Sequence, residues 1–181
     1  ILLEDAARLI TSKTKLVSVV YVSNALGTIN PIQELIALAH SKGAKIMIDA
    51  AQAIQHIPID VQALDCDLLA FSAHKLYGPT GVGILYGKED ILNAMPPFEG
   101  GGDMIENVSF AKTTFNALPF KFEAGTPHIS GCISMSVAIK YIQDLGLQKI
   151  MEYEHSSLEY ATERLNAING LTLYGTAKDK S

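Results

Sequence analysis

Four short apolar runs most strongly limit what this chain can fold into. They are rich in β-branched and other apolar residues, are too short for buried helices, and pass into turn-forming residues, as strands do. The runs read KLVSVVYVSN, AKIMIDA, DLLAFS and GVGILYG. Because they are nearly continuous rather than alternating with polar residues, the pattern predicts strands that are covered on both faces.

The segment between the first two runs carries the signals of a helix. Asn30 precedes Pro31, the residue type favoured at the first helical position, and Gly43 follows the last apolar position. The spacing predicts a helix that Asn30 caps and Gly43 ends. Strand, helix and strand in this order predict an α/β fold, with a mainly parallel sheet flanked by helices.

The pattern changes from Gly131 onward. Two long amphipathic helices joined at Gly146 are predicted, followed by the beginning of a strand at LTLYG. We expect residues 1–145 to form part of a large α/β domain and residues 146–181 to begin a smaller C-terminal α+β domain. The chain starts without methionine and stops within the predicted strand, so we expect an internal fragment of a longer protein.

Composition argues against several kinds of partner. The 181 residues include 14 Lys and Arg against 19 Asp and Glu, for a net charge of -5. The sequence has no run of basic residues, which argues against binding to nucleic acid or to an anionic membrane. No apolar run reaches the ~18 residues of a membrane span, and no signal peptide pattern is present. Cys66 and Cys132 have neither metal-ligand nor disulfide spacing. We therefore expect a reducing, cytoplasmic location, with both cysteines packed as small apolar residues.

Polar residues follow three of the predicted strands at the point where each strand ends. In open α/β sheets, ligands bind outside the carboxyl ends of the strands. Each residue alone has an ordinary explanation, such as a turn cap for an aspartate or a solvated loop position for a lysine. Their recurrence at successive strand ends favours a binding site. The residues are Ser23, Asn24, Asp49, Gln52, Ser72, His74 and Lys75.

Pyridoxal phosphate is a cofactor that uses such a set. It needs a lysine to hold its aldehyde, an acidic partner for its pyridine nitrogen, and donors for its phosphate. Lys75 and Asp49 fit the first two requirements, and Ser72 and His74 fit the third. The GPTGVG segment at 78–83 does not open a helix as nucleotide-binding loops do, so we interpret it as a turn that positions the lysine loop.

Several motifs carry a resemblance to a known family. In order and spacing they resemble the class V aminotransferases, and within these the cysteine desulfurases of the SUF type, which also have selenocysteine lyase activity. The resemblance covers essentially the whole chain. The motifs are YVSNALGTINPI, IDAAQA, DLLAFSAHKLYGPTGVGILYG, EGGGDMI and FEAGTP.

The resemblance implies a fold-type I, pyridoxal-phosphate-dependent homodimer. Such an enzyme converts L-cysteine to L-alanine and passes a persulfide sulfur to an acceptor protein of the SUF system for iron–sulfur cluster assembly. By the resemblance, Lys75 bonds the cofactor and Asp49 partners its pyridine nitrogen. Gln52 contacts the phenolic oxygen of the cofactor, and Asn24 lies near the cofactor and the substrate carboxylate.

The same resemblance assigns the phosphate contacts. Ser72 and His74 hold the phosphate of their own subunit, and Thr126 in FEAGTP reaches the phosphate of the neighbouring subunit. Neither Cys66 nor Cys132 matches the position of the persulfide-forming cysteine, which the family carries after the equivalent of Ser181. We therefore expect residues 1–181 by themselves to be inactive in desulfuration.

Two alternatives to a cysteine desulfurase stay open on the sequence. One is a selenocysteine lyase or another enzyme of the class V aminotransferase type. The other is a non-enzymatic scaffold or partner-binding fragment with a vestigial lysine site. The intact polar set at the predicted strand ends favours an enzyme, because a decayed site has no reason to keep it.

Overall fold

The computed structural model describes residues 1–175, 177 and 180. Helices and strands alternate through the first half of the chain, and two long helices dominate the second half. The elements are α1 (Leu3–Leu9), β1 (Leu16–Val20), α2 (Ile32–Ser41), β2 (Lys45–Asp49), α3 (Val61–Leu64), β3 (Leu68–Ser72), a 3₁₀ helix (Ala73–Leu76), β4 (Gly83–Gly87), α4 (Glu89–Ala94), β5 (Ile105–Val108), β6 (Thr113–Phe115), a second 3₁₀ helix (Phe120–Phe122), α5 (Ile129–Leu145) and α6 (Leu147–Asn166).

The four predicted strands form one sheet in the order β1-β2-β3-β4. The first three are parallel, and β4 returns antiparallel to β3. Val20 pairs with Asp49, and Asp49 pairs with Ala70, so the carboxyl ends of β1, β2 and β3 reach the same edge. A mostly parallel sheet with helices confirms the predicted α/β class. Strands β5 and β6 form a separate antiparallel pair.

One face of the sheet carries the main core. Val17, Ile46, Ile48 and Leu69 pack there with the apolar sides of α1 and α2. The prediction that both faces of every strand are covered is wrong for the outer strands. Leu16 of β1 and Leu85 of β4 are each 50% exposed. Both belong to edge strands and point away from the face that α1 and α2 cover.

The start of α2 differs from its sequence prediction. Asn30 is not the N-cap, because the helix begins at Ile32 and Pro31 occupies the cap position. Asn30 is buried, and its amide donates to Val20 O at 2.9 Å. A buried amide needs a partner, and this contact supplies one at the end of β1. The helix stop is confirmed, since Gly43 has φ +74° just beyond α2.

A buried carboxylate stabilises the opposite end of the sheet. Asp67 accepts hydrogen bonds from His40 Nε2 at 2.8 Å, Ile46 N at 2.9 Å and Lys45 Nζ at 3.3 Å, and Lys88 Nζ lies 3.7 Å away. Burial acts to raise the pKa of the Asp67 carboxyl, but the hydrogen bonds outweigh burial and hold that pKa below its usual value. This one side chain connects the beginning of β3 to α2 and β2.

The prediction of two long helices joined at Gly146 is confirmed by α5 and α6. The predicted strand at 171–175 is wrong, because these residues are irregular and join no sheet in the described part of the chain. A strand is stable only when a neighbour pairs with it. No helix among the described residues is long and apolar enough to cross a membrane.

The two cysteines have different environments. Cys66 is fully buried in the main core, as predicted. Cys132 is exposed, so the prediction that it packs in the interior is wrong. The reason is the helix phase: α5 begins at Ile129, and its buried residues are Gly131, Met135, Ala138 and Ile142, which leaves Cys132 on another side.

Candidate functional site

The lysine predicted to be functional lies in a short turn that the core anchors at two points. After Ser72, the chain enters the 3₁₀ helix, in which Ala73 and Leu76 are buried while His74 is exposed and Lys75 is half-buried. Ala73 and Leu76 pack in a second apolar cluster with Val82 and with Met135 of α5. Because its neighbours cannot leave the core cheaply, Lys75 is fixed at the carboxyl edge of the sheet.

The GPTGVG segment closes tightly against this lysine turn. Gly78 N donates to Ala73 O at 2.9 Å, and Ala73 N donates to Val82 O at 3.0 Å. Tyr77 and Gly81 have φ values of +57° and +78°, which lie in the left-handed region. The segment then leads into β4 rather than into a helix, as the sequence indicates. It is a structural turn that holds the lysine loop in place.

Gly78 should not tolerate a side chain. A Cβ at Gly78 would lie 2.8 Å from Ala73 O, whereas a Cβ at Gly83 would meet only Phe71 O at 3.7 Å. We expect Gly78→Ala to lower the free energy of unfolding by about 1–3 kcal/mol, because the lysine turn must shift. Urea unfolding measures this, with Gly83→Ala as the matched control. Equal stability of the two variants would contradict the close approach.

Ser72 and His74 form a hydrogen-bonded pair beside the lysine. Ser72 Oγ lies 2.7 Å from His74 Nδ1, and Ser72 is half-buried at the end of β3. The contact brings together the two side chains that the sequence predicts as phosphate donors. A hydroxyl and an imidazole can both donate to phosphate oxygens.

Asp49 is the last residue of β2 and is exposed at the same edge. Its Oδ1 accepts from Ala51 N at 2.9 Å, so it also caps its own turn, which is the ordinary explanation for an aspartate after a strand. An ionised carboxylate offers about four acceptor positions. The turn contact therefore leaves Asp49 able to accept from a protonated ring nitrogen.

Asn24 and Gln52 line one cleft of about 240 Å³, together with Val22, Ser23, Gly27 and His56. Gln52 Oε1 accepts from Gln55 Nε2 at 3.1 Å. This contact occupies the oxygen of the Gln52 amide and directs its NH₂ group away from Gln55. Gln52 thus has a donor for a ligand oxygen.

Sequence reasoning missed His56 as a member of this cleft. The available signal was its spacing, because His56 lies four residues after Gln52, and in a helical turn such positions share one side. His56 Nδ1 also contacts Glu154 Oε2 of α6 at 2.6 Å. No local pattern in the sequence indicates that partner.

Thr126 does not line the cleft of Asn24 and Gln52. It is exposed between Gly125 and Pro127, which line a separate cleft with Asp103 and Asn116. The fold places the other residues assigned to the cofactor after the carboxyl ends of β1, β2 and β3, at one sheet edge: Asn24, Asp49, Gln52, Ser72, His74 and Lys75. The predicted contact of Thr126 with a neighbouring subunit stays a prediction.

The grouped side chains fit pyridoxal phosphate. A half-buried amine, a strand-end carboxylate, a hydroxyl–imidazole pair and an amide donor are the groups that the cofactor's aldehyde, ring nitrogen, phosphate and phenolic oxygen need. Neither cysteine lines the cleft of Asn24 and Gln52. Burial raises the pKa of the Cys66 thiol, which opposes formation of a nucleophilic thiolate.

Comparisons with known proteins agree with the fold and with the sequence resemblance. A cysteine desulfurase of Enterobacter sp. (strain 638) is 54% identical over 174 residues, which are 96% of this chain and 43% of the relative. The crystal structure of the cysteine desulfurase CsdA from Escherichia coli superposes with a TM-score of 0.87 at 41% identity, covering 90% of this chain and 41% of that one. The apo cysteine desulfurase from Thermococcus onnurineus NA1 gives a TM-score of 0.86 at 42% identity, covering 91% and 41%.

The chain spans 43% of the length of the curated relative that it matches. The family model described as "Aminotransferase class-V" matches residues 1–181, the whole chain. The α/β sheet, the lysine turn after β3 and the match over every residue lead to one assignment. The chain belongs to the class V aminotransferase family.

Proposed function

We propose that the protein containing this chain is a pyridoxal-phosphate-dependent cysteine desulfurase that converts L-cysteine to L-alanine and forms an enzyme-bound persulfide. The observation that carries the proposal is the anchored lysine turn, which holds Lys75 half-buried beside the Ser72–His74 pair. Asp49 ends the neighbouring strand at the same edge. The desulfurase names of the similar proteins support the choice of substrate.

Each side chain has a proposed role. When bound, pyridoxal phosphate supplies an electron sink for chemistry at the α-carbon of an amino acid. Lys75 would hold the aldehyde of the cofactor, and its amine would move a proton at the α-carbon of the substrate. Asp49 accepts from the ring nitrogen and keeps it protonated. A protonated ring nitrogen is what makes the cofactor an effective sink.

The remaining contacts orient the cofactor and the substrate. We propose that Ser72 and His74 donate to the phosphate, that the Gln52 amide donates to the phenolic oxygen, and that Asn24 faces the substrate carboxylate. The cleft that Asn24 and Gln52 share supports the last two roles. Thr126 is proposed to reach the phosphate of a neighbouring subunit.

Formation of the persulfide requires a thiolate that attacks the substrate sulfur while the carbon–sulfur bond breaks and its electron pair stays with the carbon. Cys66 is buried with a raised thiol pKa, and Cys132 lies on α5 outside the cleft. We therefore propose that a cysteine outside residues 1–181 is the nucleophile.

The test is release of alanine by the protein in its full natural length, supplied with pyridoxal phosphate and either L-cysteine or L-selenocysteine. We expect release from L-cysteine. Release confined to L-selenocysteine would favour the alternative, a selenocysteine lyase. Negligible release from both substrates would contradict both functions and leave a non-enzymatic scaffold or another class V reaction.

We further propose a homodimer located in the cytoplasm that delivers sulfur to a SUF-type acceptor protein. Support for a second copy comes from an apolar stripe on α5 whose members recur every four residues and are each more than half exposed: Ile129, Ile133, Val137 and Tyr141. Sedimentation equilibrium distinguishes a dimer from a monomer.

We also propose that a domain boundary at Gly146 separates residues 1–145 from the beginning of the smaller domain.

A further inference from the structure

His56 and Glu154 form a contact between two distant parts of the chain. His56 Nδ1 lies 2.6 Å from Glu154 Oε2, and the two residues are 98 positions apart in sequence. Their side chains are only 20% and 33% exposed. Because an ionised carboxylate can only accept, the ring Nδ1 is the donor in this pair. The contact links the turn after β2 to α6.

His56 belongs to the same turn as Gln52. Ala53 O accepts from His56 N at 2.9 Å and from Ile57 N at 2.8 Å, which gives this stretch a helical turn. Positions four apart in such a turn lie on one side, and Gln52 and His56 do line the same cleft. His56 therefore lines the same cleft as Gln52 and Asn24, and it is also the partner of Glu154.

His56 also borders a second cavity. This cavity of about 250 Å³ lies against α6 and is lined by His56, Ile29, Ile57 and Met151, among others. The His56 side chain is only 20% exposed, so most of its surface is packed against the protein. The hydrogen bond to Glu154 adds a directional contact that orients the ring within this packing.

A neighbouring pair on α6 shows what an ordinary surface contact looks like. His155 Nε2 lies 3.4 Å from Glu159 Oε1, within one helix, with side chains 59% and 70% exposed. Exposed pairs of this kind contribute little, because water and salt screen them. The His56–Glu154 pair is shorter and more buried, and it bridges two elements. Charge-assisted hydrogen bonds in such surroundings are the stronger kind.

We infer that His56, held by Glu154, is a positioning residue that sets the turn carrying Gln52 and so fixes the Gln52 amide in the cleft that Gln52 and Asn24 line. The inference rests on the proposed function, because it assigns the Gln52 amide to the phenolic oxygen of pyridoxal phosphate. His56 is given no contact with the cofactor. Its effect passes through Gln52.

The experiment measures the affinity for pyridoxal phosphate and the visible absorbance maximum of the bound cofactor, in the protein at its full natural length. We expect Glu154→Ala and His56→Ala each to weaken binding roughly tenfold, the lower end of what loss of an orienting partner costs at metal sites. Both should shift the absorbance maximum in the direction that Gln52→Ala shifts it. Glu154→Gln keeps an acceptor and should restore most of the affinity. Glu159→Ala is the matched control on the same helix and should change neither quantity.

Combining variants distinguishes an effect of Glu154 that passes through Gln52 from a general effect on the structure. If Glu154 acts through Gln52, adding Glu154→Ala to Gln52→Ala should give no further shift of the absorbance maximum, since residues in one chain of contacts are not additive. An unchanged maximum in Glu154→Ala, or a shift that adds fully to that of Gln52→Ala, would overturn the inference while the proposed function stands. Absence of any Lys75-dependent absorbance in the unmodified protein would instead overturn the proposed function, and the inference with it.

Discussion

Lys75→Ala is expected to abolish the visible absorbance of bound pyridoxal phosphate and to lower the rate of alanine release by roughly 10³-fold or more. Removal of a residue that bonds covalently during catalysis acts on that scale in other enzymes. Lys75 is half-buried in a turn whose flanking residues, Ala73 and Leu76, are buried, and residues 73–83 contain no other lysine to replace it. The fold should persist, because an alanine fits a 3₁₀ turn and opens no core cavity.

Absorbance spectroscopy with added cofactor and an alanine assay measure the two effects. Lys140→Ala is the matched control, because Lys140 is an exposed lysine on α5 that pairs with Asp144 across one turn. We expect this control to behave like the unmodified protein. A band of equal strength in Lys75→Ala would mean that a different amine bonds the cofactor, and the site assignment would be wrong.

Asp67→Ala is expected to lower the free energy of unfolding by about 3 kcal/mol. The buried carboxylate accepts from Ile46 N, His40 and Lys45, and its removal leaves the buried Ile46 N–H without an acceptor and His40 without its closest carboxylate. An unsatisfied buried donor costs about 1–3 kcal/mol, and hydrogen bonds to charged groups contribute about 1.5–3 kcal/mol. Asp144→Ala removes an exposed carboxylate and should cost less than about 1 kcal/mol. Chemical unfolding that found equal losses in both variants would contradict the role given to Asp67.

The same carboxylate predicts how stability depends on pH. The pKa of the Asp67 carboxyl is lower in the folded protein than its ordinary value of about 3.9. Its contribution is therefore complete above that ordinary value and is lost as pH falls through the lower folded-state pKa. The free energy of unfolding should decrease below about pH 4, and less steeply in Asp67→Asn, which has no carboxyl to protonate. If the free energy of unfolding fell equally steeply in the two proteins between about pH 5 and about pH 2, this role of Asp67 would be contradicted.

The sequence was sufficient for the four strands of the main sheet, the fold class and the shared edge of the strand-end residues, but it did not predict β5 and β6 and it placed a strand wrongly at 171–175. Each strand is a compact apolar run, and parallel strands place their carboxyl ends at one edge, so Asn24, Asp49 and Ser72 had to come near one another once the sheet was parallel. Lys75 lies near the same edge because it comes only three residues after the end of β3. These inferences need only local patterns and one topological rule.

The features that the sequence did not predict depend on contacts between distant segments. Apolar runs alone did not distinguish the outer strands, so the exposure of Leu16 and Leu85 was missed. Asn30 resembles a helix cap locally, but the carbonyl of Val20 holds its side chain. His56 has no motif of its own, because its partner Glu154 lies 98 residues away.

The most direct measurement of the central claim is to reduce the cofactor-loaded protein with borohydride, digest it, and locate the modified residue by mass spectrometry. Reduction makes the bond between a lysine and pyridoxal permanent, so the modified peptide identifies the amine. We predict pyridoxyl-lysine at position 75, in the peptide that contains Leu76 and Tyr77. Modification spread over exposed lysines such as Lys140, with position 75 unmodified, would contradict the claim that this turn is the cofactor-bonding site.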